Sequence, residues 1–296
     1  MPIHRDLPGV SARRRRERAE KKAQSAAEPV RENSSVKDQV PAQQAPATYL
    51  GELGAMDEAY EQRALGGKNE PGHLLQVSRG RPGAGSRISV HGIRGNPGDV
   101  DPLTKLGLED GARTSSFAYD DQHRRLDDVS DDLVAALRAE MKANPKGPLT
   151  LDAHSMGTRV VLDAVRKLSE GGELGNRPVN LNLVAPLLAG ITGGGAELGT
   201  NLSRLAIPGM GALIPGLQPG KDMGTGSSFQ DRLEGMELPK NVHTRLFTGT
   251  EDSLVDPAHP TWQAMAERLN AEQITLPGAD HDGSVDAAAR HMRKHD

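Results

Sequence analysis

The 296-residue chain contains no cysteine, which excludes disulfides, thiolate zinc sites, iron–sulfur ligation and a cysteine nucleophile from its chemistry. No stretch approaches the roughly 20 apolar residues that a membrane-spanning helix needs, so a soluble protein is expected. The first residues, Met1-Pro2-Ile3-His4-Arg5-Asp6, continue polar without an apolar run ahead of the arginines. The expected location is therefore cytoplasmic, or outside the cell by a route without a standard signal peptide. A net charge of -4 and a pI near 6.2 leave no general basic field to gather nucleic acid or anionic membrane around the body.

What is present divides the chain in two. Residues 1–70 mix the cluster Arg13-Arg14-Arg15-Arg16-Glu17-Arg18 with Ala, Gln, Pro, Ser and Glu and lack a sustained apolar face, the composition of a disordered polar leader. Its arginines could meet anionic lipid, nucleic acid or a transport receptor, or simply remain solvated. Residues 71–296 are expected to form one catalytic domain. There, short β-like runs at 74–78, 87–90, 114–119, 149–153, 179–184, 242–248 and 273–276 alternate with helix-period segments, the pattern of parallel strands joined by crossover helices. Residues 129–141 place Leu133, Val134, Leu137 and Met141 on one face, behind the carboxylates Asp127, Asp128, Asp131 and Asp132 that favour a helix N-terminus. Residues 157–168 do the same with Val160, Val161, Ala164 and Leu168, and Gly171-Gly172 supplies a stop. The rhythm breaks at about 189–239, where Leu205-Ala206-Ile207-Pro208 and Leu213-Ile214-Pro215 are too apolar for an ordinary loop. This stretch reads either as a buried subdomain or as a lid over an acyl-binding cleft.

The chemistry concentrates at Ala153-His154-Ser155-Met156-Gly157, a strand entering a tight turn that opens a helix. Small residues at 153 and 157 suit a strained turn that presents Ser155 as a nucleophile. A serine hydroxyl needs a histidine to take its proton, and the histidine works best when a carboxylate fixes its tautomer. In an open parallel sheet both should come from the carboxyl ends of strands. The strand at 242–248 runs into Gly249-Thr250-Glu251-Asp252-Ser253-Leu254-Val255-Asp256, and the one at 273–276 runs into Pro277-Gly278-Ala279-Asp280-His281. Position favours His281 over His259, His291 and His295. Asp252 is favoured as the acid, with Asp256 and Glu251 as rivals. An oxyanion needs two fixed N–H donors, one from the residue after the nucleophile and one from a loop after an earlier strand. Met156 would supply the first and Ile93, in His91-Gly92-Ile93-Arg94-Gly95, the second. Taken alone, that glycine-containing loop could equally be a plain turn.

Taken together, these motifs resemble the α/β-hydrolase superfamily, and within it bacterial lipases and PGAP-like esterases, over about residues 87–296. His91-Gly92-Ile93 resembles the oxyanion loop, Ala153-His154-Ser155-Met156-Gly157 the alanine-type elbow, Gly249 to Asp252 the acid turn, and His281 the base. Tyr119-Asp120-Asp121 and Ala185-Pro186 resemble further landmarks. Thr158 stands where a second glycine is common, and no His-Gly follows Ala185-Pro186. The resemblance implies an α/β fold with a mostly parallel central sheet flanked by helices, and an apolar insert between the sixth and seventh strands. It implies a serine hydrolase acting on carboxylic esters of acyl or lipid-like substrates, a carboxylesterase or lipase-like enzyme. Phospholipase or acyltransferase activity on the same triad, or a non-catalytic scaffold of this fold, are the alternatives. No cofactor and no metal are expected. The expected partner is a small ester or lipid, with contact to a membrane surface or micelle left open and no nucleic acid.

Overall fold

The computed structural model describes residues 70–93, 95–190, 219–223 and 227–296. The polar leader, and the apolar runs at 205–211 and 213–217, lie outside the described residues. Seven strands form one sheet in the order β1-β3-β2-β4-β5-β6-β7. They are β1 (His73–Ser78), β2 (Ser86–Val90), β3 (Arg113–Ala118), β4 (Leu149–His154), β5 (Val179–Val184), β6 (Val242–Gly249) and β7 (Glu272–Leu276). All neighbours pair in parallel except β1, which runs antiparallel to β3 at one edge. β2 is buried along its whole length, and β4 and β5 at all but one position each. Their sequences nevertheless alternate apolar and polar residues, because one face packs on an apolar core and the other carries paired polar side chains.

Helices cover both faces. On one side α2 (Leu126–Ala143), α3 (Met156–Glu170), α5 (Ser228–Glu234) and α6 (Pro260–Arg268) pack onto Ile88, Val90, Leu151, Ala153, Leu181, Leu183 and Leu246. On the other, α1 (Asp101–Glu109) and α7 (Gly283–His295) pack onto Val184, Phe247, Ile274 and Leu276. A further short turn, α4 (Gly220–Met223), precedes α5. Side-chain alternation along β4 therefore sends Leu151 and Ala153 into the larger core and leaves Asp152 and His154 for the side of α1 and α7. The two helices anticipated from periodicity are α2 and α3. Carboxylates do gather at the start of α2, with Asp127 and Asp128 in its first turn. The first backbone N–H of α2, on Leu126, instead donates to Asp222 Oδ2 at 3.0 Å, a cap reaching across 96 residues.

The segment 189–239 is bounded by the fifth and sixth strands, not by the sixth and seventh as expected; the five strand runs read ahead of it in the sequence are the five strands observed there. Its described ends belong to the main core. Ala189, Met223, Phe229, Leu233 and Met236 all join the cluster around α3. Arg159 of α3, fully buried, holds both ends: its guanidinium donates to Leu187 O at 2.9 Å and to Asp222 O at 2.8 Å, and it also bonds Gln230 Oε1. Burial lowers the pKa of Arg159 to about 10, still leaving it charged near neutral pH. No helix among the described residues is long and apolar enough to cross a membrane.

On the α7 side a buried polar ladder crosses four adjacent strands. Arg87 of β2 donates to Asp152 of β4 at 2.6 and 3.1 Å, Asn182 of β5 donates to Asp152 at 2.7 Å, and Arg245 of β6 donates to Asn182 at 2.9 Å. Burial by itself would lower the pKa of Arg87, but Asp152 and Asp110 raise it above its ordinary value, so the cation is secure. Removing one partner of a buried pair leaves the other charge uncompensated. Asp152→Ala is accordingly expected to cost roughly 3 kcal/mol in urea unfolding, and a loss below about 1 kcal/mol would contradict a stabilising role for the ladder.

Candidate active site

Ser155 lies between β4 and α3 with φ 53° and ψ −124°, a left-handed backbone for a residue that has a side chain. Such a conformation costs on the order of 1–3 kcal/mol and persists only where its surroundings enforce it. Here the Ser155 N–H donates to Val184 O of β5 at 3.0 Å, and the Thr158 Oγ1–H donates to Ser155 O at 2.6 Å. The absent side chains matter as much. A Cβ on Gly157 would stand 2.3 Å from His91 O and 2.9 Å from Val90 O, and one on Gly92 would stand 2.8 Å from Ser155 Cβ. α3 can thus cross close to β2, and the loop after β2 can lie directly against the serine.

From Ser155 a chain of hydrogen bonds runs inward. Ser155 Oγ is 2.8 Å from His281 Nε2, and His281 Nδ1 is 2.8 Å from Asp252 Oδ2. The other carboxylate oxygen of Asp252 accepts the backbone N–H groups of Leu254 at 2.8 Å and Val255 at 3.2 Å. Burial alone would raise the pKa of Asp252, but its bond to His281 and these amides hold the carboxyl below the usual range. Asp252 is therefore a carboxylate near neutral pH, and only its partner's Nδ1 can be the donor. That fixes the histidine tautomer, leaving Nε2 free to accept the serine proton.

The turns carrying the acid and the histidine are zipped together. Thr250 N–H donates to Leu276 O at 3.1 Å, Glu251 N–H to Ala279 O at 3.0 Å, and Gly278 N–H to Thr250 Oγ1 at 2.8 Å. A Cβ on Gly249 would meet Ala279 O at 2.1 Å, so this approach needs glycine. Asp256 turns its carboxylate to its own loop, accepting the Ala258 N–H at 2.9 Å, and is exposed. His259 caps α6 through the Thr261 N–H, while the His291 and His295 rings lie tilted against each other, 4.4 Å apart, along α7. None of these rivals reaches Ser155 as His281 does.

Met156, expected as one oxyanion donor, is the first residue of α3, where backbone N–H groups have no partner within the helix. Ile93 follows Gly92 in the loop against Ser155 and packs on the larger core. That loop is clamped by residues after β3. Tyr119 Oη donates to His91 O at 2.6 Å with its ring stacked 4.3 Å from the His91 imidazole, and Asp121 Oδ2 accepts the Gly95 N–H at 3.0 Å. Burial pushes His91 down to about 4, so it is a neutral part of the clamp. Tyr119 and Asp121 were visible in the sequence only as landmarks of a resemblance; their work on the loop is set by a strand pairing that no local pattern encodes.

A cavity of about 660 Å³ is lined by Thr248, Gly249, Asp252, Val255, Gln273 and Thr275. It includes neither Ser155 nor His281 and is not assigned as an acyl pocket. Among the described residues no group of three His, Asp or Glu side chains is arranged to hold a metal ion.

No protein-family profile matches the sequence, and no curated protein does. Solved structures do match. A lipase-esterase related protein from Clostridium acetobutylicum aligns with a TM-score of 0.50 at 13% identity, over 76% of this chain and 99% of that one. A candidate thioesterase from a Silicibacter species aligns with a TM-score of 0.50 at 14% identity, over 83% of this chain and 90% of that one. With its seven-stranded sheet and its helices on both faces, the chain has the α/β-hydrolase fold.

The tight crossing at Gly157 makes a direct test. Gly157→Ala is expected to push His91 and Val90 away from α3 and cost about 1–3 kcal/mol in denaturant unfolding. Unchanged stability, with those residues unmoved in a crystal structure of the variant, would contradict the packing described.

Proposed function

We propose that the protein is a serine hydrolase that cleaves carboxylic esters of acyl or lipid-like substrates through an acyl-enzyme intermediate. One observation carries the reading: the unbroken hydrogen-bond chain from Ser155 Oγ through His281 to Asp252, starting at a serine held in a left-handed turn. In the proposed reaction Ser155 Oγ bonds to the acyl carbon as its proton passes to His281 Nε2. The carbonyl electrons move onto oxygen, where the Met156 and Ile93 N–H groups are the proposed donors. The oxyanion collapses, the bond to the leaving alcohol breaks, and His281 gives that alcohol the proton. Water then attacks the acyl-serine, again losing its proton to His281, and the acid departs with Ser155 restored. Asp252 stays ionised throughout and stabilises the imidazolium.

A fluorophosphonate probe tests the nucleophile. The full chain is expected to label stoichiometrically and Ser155→Ala not at all, while Asp252→Asn lowers kcat on a p-nitrophenyl ester by about 10³–10⁴-fold. A native protein that neither labels nor turns over the ester would overturn the proposal.

The lipid-like part of the reading rests on the apolar composition of the 189–239 segment, of which residues 191–218 lie outside the described residues. Across p-nitrophenyl esters of increasing length, kcat/KM is expected to rise from acetate to a medium chain, each buried methylene contributing about 0.8 kcal/mol at most. Hydrolysis confined to acetate would remove that part and leave the esterase reading standing.

A further inference from the structure

His154 precedes the serine, and its side chain leaves β4 on the side of α1 and α7. Its Nε2 is 3.0 Å from the carbonyl oxygen of His281, and the two imidazole rings lie 5.0 Å apart, tilted by 47°. A carbonyl oxygen only accepts, so Nε2 of His154 carries the proton. Burial first, and then the neighbouring His281, push His154 down to about 4, which leaves a neutral ring with its single proton on that nitrogen. The ionisable groups around it are His281, Asp252 and Asp282 on the acid and histidine turns and His91 on the loop after β2. His281 itself spends both ring nitrogens on Ser155 and Asp252. Neither nitrogen is left to fix the backbone that carries the ring.

We infer that His154 is a positioning residue for His281: its Nε2–H holds the His281 carbonyl and its ring backs the His281 ring, keeping that imidazole in line between Asp252 and Ser155. The inference rests on the reading of Ser155, His281 and Asp252 as the reacting set. His154 takes no proton in the reaction and forms no bond to the acyl group. Its effect is geometric, and small misplacements of a catalytic base cost up to about 100-fold in rate. A residue acting on the base in this way lowers kcat and leaves ground-state binding alone.

Two variants separate this role from simple packing. The side-chain amide of Gln at 154 extends far enough to donate to the His281 carbonyl, whereas that of Asn stops near the position of Nδ1. With p-nitrophenyl butyrate and the full chain, His154→Asn is expected to lower kcat by about 10- to 100-fold with KM within about twofold, and the fluorophosphonate labelling rate should fall in parallel. His154→Gln should stay within about fivefold of the native kcat. Crystal structures should show the His281 Nε2 to Ser155 Oγ hydrogen bond lost in the Asn variant and kept in the Gln variant. Equal kcat values for Asn and Gln, or a change confined to KM, would overturn the inference while an active native enzyme leaves the hydrolase reading intact. A native protein silent in both assays sinks the hydrolase reading and this inference with it.

Discussion

The backbone at Ser155 turns through φ 53° and ψ −124° directly after β4, and nearly every contact that builds the site follows from that turn. It lifts the hydroxyl out of the sheet and starts α3 at once, so α3 must cross β2 at a distance that no side chain at 157 could share. The same turn brings the loop after β2 against the serine, where a Cβ at 92 would collide with it. The strained conformation is held rather than merely tolerated. The Ser155 N–H is bound by β5, its carbonyl by Thr158, and the crossing loop by Tyr119 and Asp121. Strain of this kind is stable only inside a rigid sheet, which the doubly covered strands provide.

Charge is distributed so that Ser155, His281 and Asp252 sit between two different environments. Under α7 the ladder Arg87, Asp152, Asn182 and Arg245 is ionic and fully paired. Around Ser155 the two histidines not in the hydrogen-bond chain, His91 and His154, are neutral, each pushed down to about 4 by burial. A cationic imidazole beside His281 would oppose the positive charge that His281 must accept in the proposed reaction. Neutral neighbours leave Asp252 as the charge that decides where the imidazolium is stabilised.

The seven strands and the helices α2 and α3 were legible because each carries its own periodicity, and the expected and observed bounds differ by one residue or less at every strand end. That Ser155, Asp252 and His281 would come together was legible for a related reason: each lies in a turn just past a strand, and a parallel sheet sends those ends to one edge. Pairing was less legible. The antiparallel direction of β1 depends on its partner β3, and the reach of Asp222 to the start of α2 depends on contacts 96 residues apart. The contact made by His154 was hidden in the same way. Its identity belongs to the elbow motif, but what it touches is the carbonyl of a residue 127 positions later. The apolar segment was placed one strand too late, although the strand runs read from periodicity already put five strands ahead of it, as observed.

The central claim is that Ser155 carries the acyl group during turnover. Acid quenching in the first milliseconds of reaction with a p-nitrophenyl ester, followed by mass analysis of the intact protein and its peptides, reads this directly. The account predicts a mass increase equal to one acyl group, located on the peptide containing Ser155 and absent from Ser155→Ala. Turnover with no acylated peptide, or with the acyl group on another residue, would contradict it.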